Sequence, residues 1–348
     1  MTAVLDPLDL PPHFADVASL EDFMTRPSAA LVADLRGLDG DIAILGVGGK
    51  MGPTLARLAR RAAPDKRIVA VARFSEKGLK ERLEGCGIEC IAADLADREA
   101  VARLPEVKNI VYMAGRKFGS AGAEHLTWAM NAYVPALVAQ RYREARLVAF
   151  SSGCVYPYVH VFSQGATEAT PTKPPPGEYA WSVVARERLF EHFSKTHGTP
   201  GRLIRLNYAI DMRYGVLHDI ARRVFEGKPL SLATGHVNVI WQGDANSQVL
   251  RALRHCTAPT SGLNVSGPET LSVRTLANAF AQRFGKPALL EGSEEPTCWL
   301  VNTGEAARLF GYPLVPVGRM IDWVAEWIAE GKPSWDKDTH FDVRSGEF

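Results

Sequence analysis

The sequence predicts an α/β protein with a doubly wound parallel sheet, followed by a smaller mixed α/β region. Three observations carry that prediction. From Asp41 to about Ile210, short apolar runs alternate with stretches of helical spacing. The apolar runs are near-continuous, the pattern of strands covered by helices on both faces. The first run ends in a cluster of glycines and opens directly into a helical segment, a setting in which backbone N–H groups can approach a phosphate.

Residues 1–17 are rich in proline and read as irregular. SLEDFMTR follows, with Ser19 as N-cap and Leu20, Phe23 and Met24 at helical spacing. Pro27 then opens a second helix with Leu31 and Leu35 on one face. Residues 1–39 are therefore expected to form a helical N-terminal extension. Over 40–210, the expected strands are DIAILGV, RIVAVARF, IECIAADL, NIVYMAG, RLVAFSS and RLIRLNYAI. The helices expected between them are KMGPTLARLARRA, EKGLKERLEGC, REAVARL, HLTWAMNAYVPALVAQRYRE and a segment from Tyr179 to about Lys195. Beyond Ile210 the alternation loosens. Short strands (PLSLAT, VNVIW) and helices (SQVLRALRHC, SVRTLANAFAQRF) form a substrate-binding region expected over 211–330. The polar end, 331–348, reads as a surface tail whose aromatics could dock on a neighbour.

Composition narrows the function classes. The 348 residues are 46% hydrophobic and 23% charged, as in ordinary soluble domains. A net charge of +1 gives no electrostatic drive toward nucleic acid or an acidic membrane. No apolar run is long enough to span a bilayer, and the N-terminus lacks the regions of a secretory signal. A cytoplasmic location is expected. The five cysteines lack zinc spacing and are expected to be reduced. The nine histidines form no pair with convincing ligand spacing, so no metal is expected.

The motifs point to chemistry. LGVGGKMG sets Gly46, Gly48, Gly49 and Gly52 between strand and helix, with Lys50 and Met51 in the loop. Glycines let the backbone approach a pyrophosphate, which the helix N-terminus then favours. Asp94 and Leu95 close the third strand, while Met113, Ala114 and Gly115 end the fourth. Asn131 falls on the next helix, SSGCVYP carries Ser152 and Cys154, and EYAWSVVARE carries Tyr179. With the GxxGxxG spacing and the late GLNVSGPETLSVRTLANAF segment, this ordered set resembles the extended short-chain dehydrogenases/reductases, the NAD-dependent epimerase/dehydratase family. The resemblance runs from about Asp41 to Ile328.

That resemblance implies a Rossmann-type domain and a nicotinamide cofactor lined by the glycine loop, Lys50, Met51, Asp94, Leu95, Met113, Ala114, Gly115, Asn131 and Tyr179. It implies NAD(P)-dependent oxidation, reduction or epimerisation at a carbinol or keto carbon. Arg73 ends the second strand where an acidic residue would bind the ribose of NAD. Its guanidinium can pair with a 2′-phosphate, so NADP is expected, with NAD as the alternative.

The resemblance also implies that Tyr179 is the general acid/base, that Ser152 binds the same substrate oxygen, and that a lysine follows one helical turn later. Val183 stands there instead, while Ser182 and Glu187 match the motif. Three readings stay open. Another cation fills the space, Lys117 first and Arg116 second; the charge of the oxidised nicotinamide suffices; or Tyr179 is not catalytic. The last reading leaves a redox sensor or partner-binding protein without hydride chemistry.

In VNVIWQGD, Asp244 matches the family, but Val237 replaces an arginine that meets the diphosphate of nucleotide sugars. A free sugar or sugar acid is therefore expected as substrate. Cys154, Asn207, His236, Asn238, Trp241 and Gln242 are the residues expected around it. A homodimer is expected through the two long helices, with Trp128, Tyr133, Leu189 and Phe190 available.

Overall fold

The computed structural model describes residues 4–117 and 122–344. Its centre is a seven-stranded parallel sheet. The strands are β1 (Ile42–Leu45), β2 (Ile68–Ala72), β3 (Glu89–Ala92), β4 (Asn109–Tyr112), β5 (Arg146–Ser152), β6 (Gly201–Leu206) and β7 (Ser261–Val265). They lie in the order β3-β2-β1-β4-β5-β6-β7, so strand order reverses between β1 and β4. In such sheets the crevice beyond the carboxyl ends at this reversal is where ligands bind.

The buried strands are those the sequence marks most clearly. β1, β2 and β4 are buried at every position. β3, at the edge, is half-exposed. β7 escapes the hydrophobic pattern because SGLNV carries a polar residue that the fold satisfies internally. Asn264 is fully buried, donates to the carbonyls of Ala166 and Asn302, and accepts from the Tyr156 hydroxyl. The sheet thus draws its last strand from beyond residue 210.

The N-terminal helices are Val17–Met24 and Ala29–Arg36. Asp16, not Ser19, caps the first. Its carboxylate accepts from the Ser19 amide at 2.7 Å while the Ser19 hydroxyl accepts from the Asp16 amide, a reciprocal capping box. Leu31 and Leu35 pack under the sheet. Leu20, Phe23 and Met24 instead enter a second core with Trp241, Trp323 and Trp327. The extension therefore ties the two cores together, and Glu21 adds ion pairs to Arg57 and Arg213 at 2.8 Å each.

Two differences from the sequence reading bear on the site. The expected helix around HLTWAMNAYVPALVAQRYRE is interrupted by a π-helical turn over Ala129–Tyr133. Pro135 follows at the start of the next helical segment and has no N–H to offer the carbonyl one turn back. Of the segment 331–348, expected on the surface, the described residues 331–344 fold back along the chain. Phe341 is buried in the second core, and Trp335 stacks on Arg213. Among the described residues no helix is long and apolar enough to cross a membrane, and no cluster of His, Cys, Asp or Glu could hold a metal.

Candidate active site

The carboxyl ends of β1, β4 and β5 open into a cavity of about 410 Å³. One wall is the glycine loop. Gly46 has φ of +94°, and a Cβ there would lie 2.5 Å from the Ala114 amide nitrogen. A Cβ on Gly52 would lie 2.0 Å from the Val47 carbonyl oxygen. A Cβ on Gly48 or Gly49 would make only ordinary contacts, 3.5 Å from the Ala72 Cβ and 4.0 Å from the Gly46 carbonyl oxygen. The first pair folds the loop tightly, and the second leaves room for a close ligand. The helix Gly52–Ala62 begins at Met51 without a side-chain cap. Pro53 in its first turn has no N–H and the Gly52 N–H donates to the Gly49 carbonyl at 3.3 Å, so the fit to the pyrophosphate of a dinucleotide rests on the room beside Gly48 and Gly49 and on the helix N-terminus behind them. Gly52→Ala forces the new methyl against backbone. It is expected to cost about 1–3 kcal/mol and to weaken dinucleotide binding at least about tenfold; thermal unfolding and a binding titration check this.

Ser152 ends β5 and is followed by a single 3-10 turn, Gly153–Val155. Its hydroxyl accepts from the Cys154 amide at 3.3 Å, and Ser152 and Tyr179 line the same cavity. Tyr179 starts the long helix Glu178–His197. Burial raises its pKa above the ordinary tyrosine value, while Arg186 and Ser152 act in the opposite sense. Cys154 is buried beside the pair, and burial pushes its thiol up to about 11. Asn207 is also buried here, with its amide donating to the Trp299 carbonyl. Ser152, Cys154, Tyr179 and Asn207, separate in sequence, thus meet in one cavity.

Val183 is fully buried among Val155, Tyr156, Ala166, Val184 and Val301. Ser182 and Glu187, which flank it in the motif, are structural. The Ser182 hydroxyl donates to the Tyr179 carbonyl at 2.7 Å and accepts from Asn131. Glu187 accepts from Arg205 and from the Ser151 hydroxyl.

Asn131 sits in the π-helical turn and is fully buried. Its amide accepts from the Arg116 N–H at 2.9 Å and donates to the Arg116 carbonyl at 2.9 Å, so it clamps the loop after β4. It also accepts from Arg186 at 2.6 Å. Arg186 lines the cavity floor, a role with no sequence signal, because the motif places its cation at 183.

Residues of the folded-back tail also reach the cavity. Thr339 and His340 line the cavity. Thr339 donates both its amide and its hydroxyl to Asp219. Lys117 lines the same cavity and donates to the Thr339 carbonyl at 3.2 Å; burial lowers its pKa. Arg116 lines it as well. Lys50, from the glycine loop, places its ammonium 3.1 Å from the Tyr214 ring centre. Burial, with Lys337 and Lys117 nearby, brings its pKa down to about 7. Tyr208 and Tyr214 complete an aromatic wall.

The other expected residues divide. Met51, Met113, Gly115 and Gln242 line the cavity, and Gln242 also donates to Thr54. Arg73 is exposed just past β2. Asp94 is exposed past β3, where it accepts from the Ala96 amide, and Leu95 is buried. Three substrate candidates are not brought to the cavity. Trp241 is fully buried in the second core against Phe14 and Trp323. Asn238 is buried between the Glu269 carbonyl and the Val301 amide. His236 lies in a two-residue strand paired with Ser272.

A glycine cradle at a helix start, facing a serine–tyrosine pair at the end of the fifth strand, defines an NAD(P)-dependent enzyme of the extended short-chain type. The chain belongs to the NAD dependent epimerase/dehydratase family, whose model matches residues 42–255. Several solved structures share the fold. UDP-glucuronic acid 4-epimerase from Bacillus cereus, in complex with NAD, is 17% identical with a TM-score of 0.71, over 85% of this chain and 100% of that one. Pal from Bacillus thuringiensis is 18% identical with a TM-score of 0.70, over 84% and 100%. DesIV, a dTDP-glucose 4,6-dehydratase from Streptomyces venezuelae with NAD and TYD bound, is 18% identical with a TM-score of 0.69, over 83% and 97%. Among curated proteins none matches by sequence.

Proposed function

We propose that the protein uses NADP to oxidise, reduce or epimerise a carbinol or keto carbon of a small polar substrate, a free sugar or sugar acid. The observation that carries this reading is that Ser152 and Tyr179 meet in the cavity that the glycine loop opens into. When bound, the nicotinamide supplies the acceptor or donor of the hydride. Tyr179 takes or returns the hydroxyl proton, and Ser152 holds the reacting oxygen. Cys154 and Asn207 shape the adjoining surface.

Charge supports a small substrate. Thr339 and His340 line the cavity together with the catalytic pair. Val237 is buried in the second core, where it offers no charge to a diphosphate. Arg73, exposed beside the loop, is the proposed partner of the 2′-phosphate. The long helices also expose Leu126, Trp128, Tyr133 and Trp181, which supports a homodimer through this face, although Phe190 turns inward onto Tyr112. A cytoplasmic location accords with the reduced cysteines.

The test is a single-turnover experiment at near-stoichiometric protein, with NADP⁺ or NAD⁺ and a panel of sugars and sugar acids. Reduced-nicotinamide absorbance is expected to rise with one compound class, and more at limiting NADP⁺ than at limiting NAD⁺. A rise with nucleotide sugars alone would overturn the substrate assignment. Cofactor binding with no rise on any compound, and no exchange of substrate C–H into bound cofactor, would overturn the enzyme reading.

A further inference from the structure

We infer that Arg186 stands in for the absent lysine as the positioning residue whose positive charge favours ionisation of Tyr179. This rests on Tyr179 being the acid/base group, as proposed above.

Arg186 lies two turns beyond Tyr179 on the same long helix, so the two project from one face. It is 6% exposed, yet among the described residues no carboxylate pairs with it. Its guanidinium donates to two neutral acceptors, the Phe150 carbonyl at 2.9 Å and the Asn131 side-chain oxygen at 2.6 Å. Its Nε is buried without a partner. The ring of Tyr112 lies 5.7 Å away and offsets little of the charge. The neighbouring residue shows the contrast: Glu187 takes its own counter-ion, Arg205, and leaves Arg186 uncompensated. A buried cation without an anion costs stability, and chains keep one where its field is used.

The field reaches the reacting tyrosine. Arg186 lines the same cavity floor as Tyr179 and acts against the burial that raises the tyrosine pKa. Gly115 is shaped to the arrangement, since a Cβ there would sit 2.5 Å from Arg186 Nη2. Asn131 fixes the guanidinium and the loop bearing Gly115 at once. A tyrosinate at 179 is the anion this cation lacks. Val183 can then be apolar because the charge enters one turn further along.

The test places a ring-fluorinated tyrosine, whose phenol titrates at lower pH, at position 179. Its ionisation is followed by fluorine NMR in the cofactor-free protein. Arg186→Gln is expected to raise the midpoint by about one pH unit or more. Arg186→Lys, which keeps a charge but loses the paired hydrogen bonds, is expected to move it by less than half as much. Gly115→Ala displaces the guanidinium without deleting it and is expected to shift the midpoint in the same direction. A midpoint unmoved in folded Arg186→Gln, or an equal shift in Arg186→Lys, would overturn the inference. If Arg186→Gln does not fold, an unmoved midpoint in Gly115→Ala does so. None of these readings involves substrate or cofactor, so they stand apart from the hydride-transfer test.

Discussion

Replacing Tyr179 with phenylalanine is expected to lower kcat by about 10²–10⁴-fold, with a much smaller change in KM. In the proposed chemistry the phenol oxygen exchanges the proton, and phenylalanine removes it while keeping the ring. Ser152 remains to bind the substrate oxygen, but a serine hydroxyl is no base near neutral pH. The ring is partly buried against Val183 and Trp299, contacts that phenylalanine preserves, so the melting temperature should stay near that of the native protein. Turnover in single-cycle mixtures, with unfolding measured on the same preparations, separates the two effects. Undiminished turnover would assign the proton to another group. Cys154 is a poor alternative base, because burial holds its thiol at about 11.

Glu187→Ala is expected to be the most destabilising single change near the site, at about 3–5 kcal/mol. The carboxylate is fully buried and receives Arg205 Nε at 3.0 Å, Arg205 Nη2 at 2.9 Å and the Ser151 hydroxyl at 2.5 Å. Removing it leaves Arg205 as a second uncompensated cation in the interior. The damage reaches the site because Ser151 precedes Ser152 at the end of β5. Arg205 also donates to the Tyr156 hydroxyl at 2.7 Å, which in turn holds Asn264 of β7. The pair therefore braces β5, β6 and β7 together. Replacing both partners, as Glu187→Leu with Arg205→Met, is expected to recover part of the loss, because no charge is then stranded. Denaturant unfolding of the two variants beside the native protein measures this. A loss below about 1 kcal/mol in Glu187→Ala would mean that water enters and solvates Arg205.

Much of the fold was legible because its signals are local. Continuous apolar runs such as IVAVA mark strands that helices cover on both faces. The glycine loop was legible for the same reason, since GxxGxxG between strand and helix describes a local backbone path. β7 was hidden because its buried Asn264 is satisfied by carbonyls distant in the chain. Trp241 and Asn238 looked like recognition groups in a polar-aromatic stretch. Trp241 instead fills the second core against helices from both ends of the sequence, and Asn238 bridges backbone of later loops.

The sequence by itself determined the parallel sheet and singled out the glycine loop and the serine–tyrosine pair as candidates, because each depends on neighbours close in the chain or on an ordered series of short motifs. Only the tertiary structure decided what faces that pair. It brought Thr339 and His340 from the tail to the cavity, and it placed Arg186 in the same cavity as Tyr179, against Asn131 and Gly115. The charge that one helical turn lacks is set by partners on other elements, and packing across the sheet decides which of them meet.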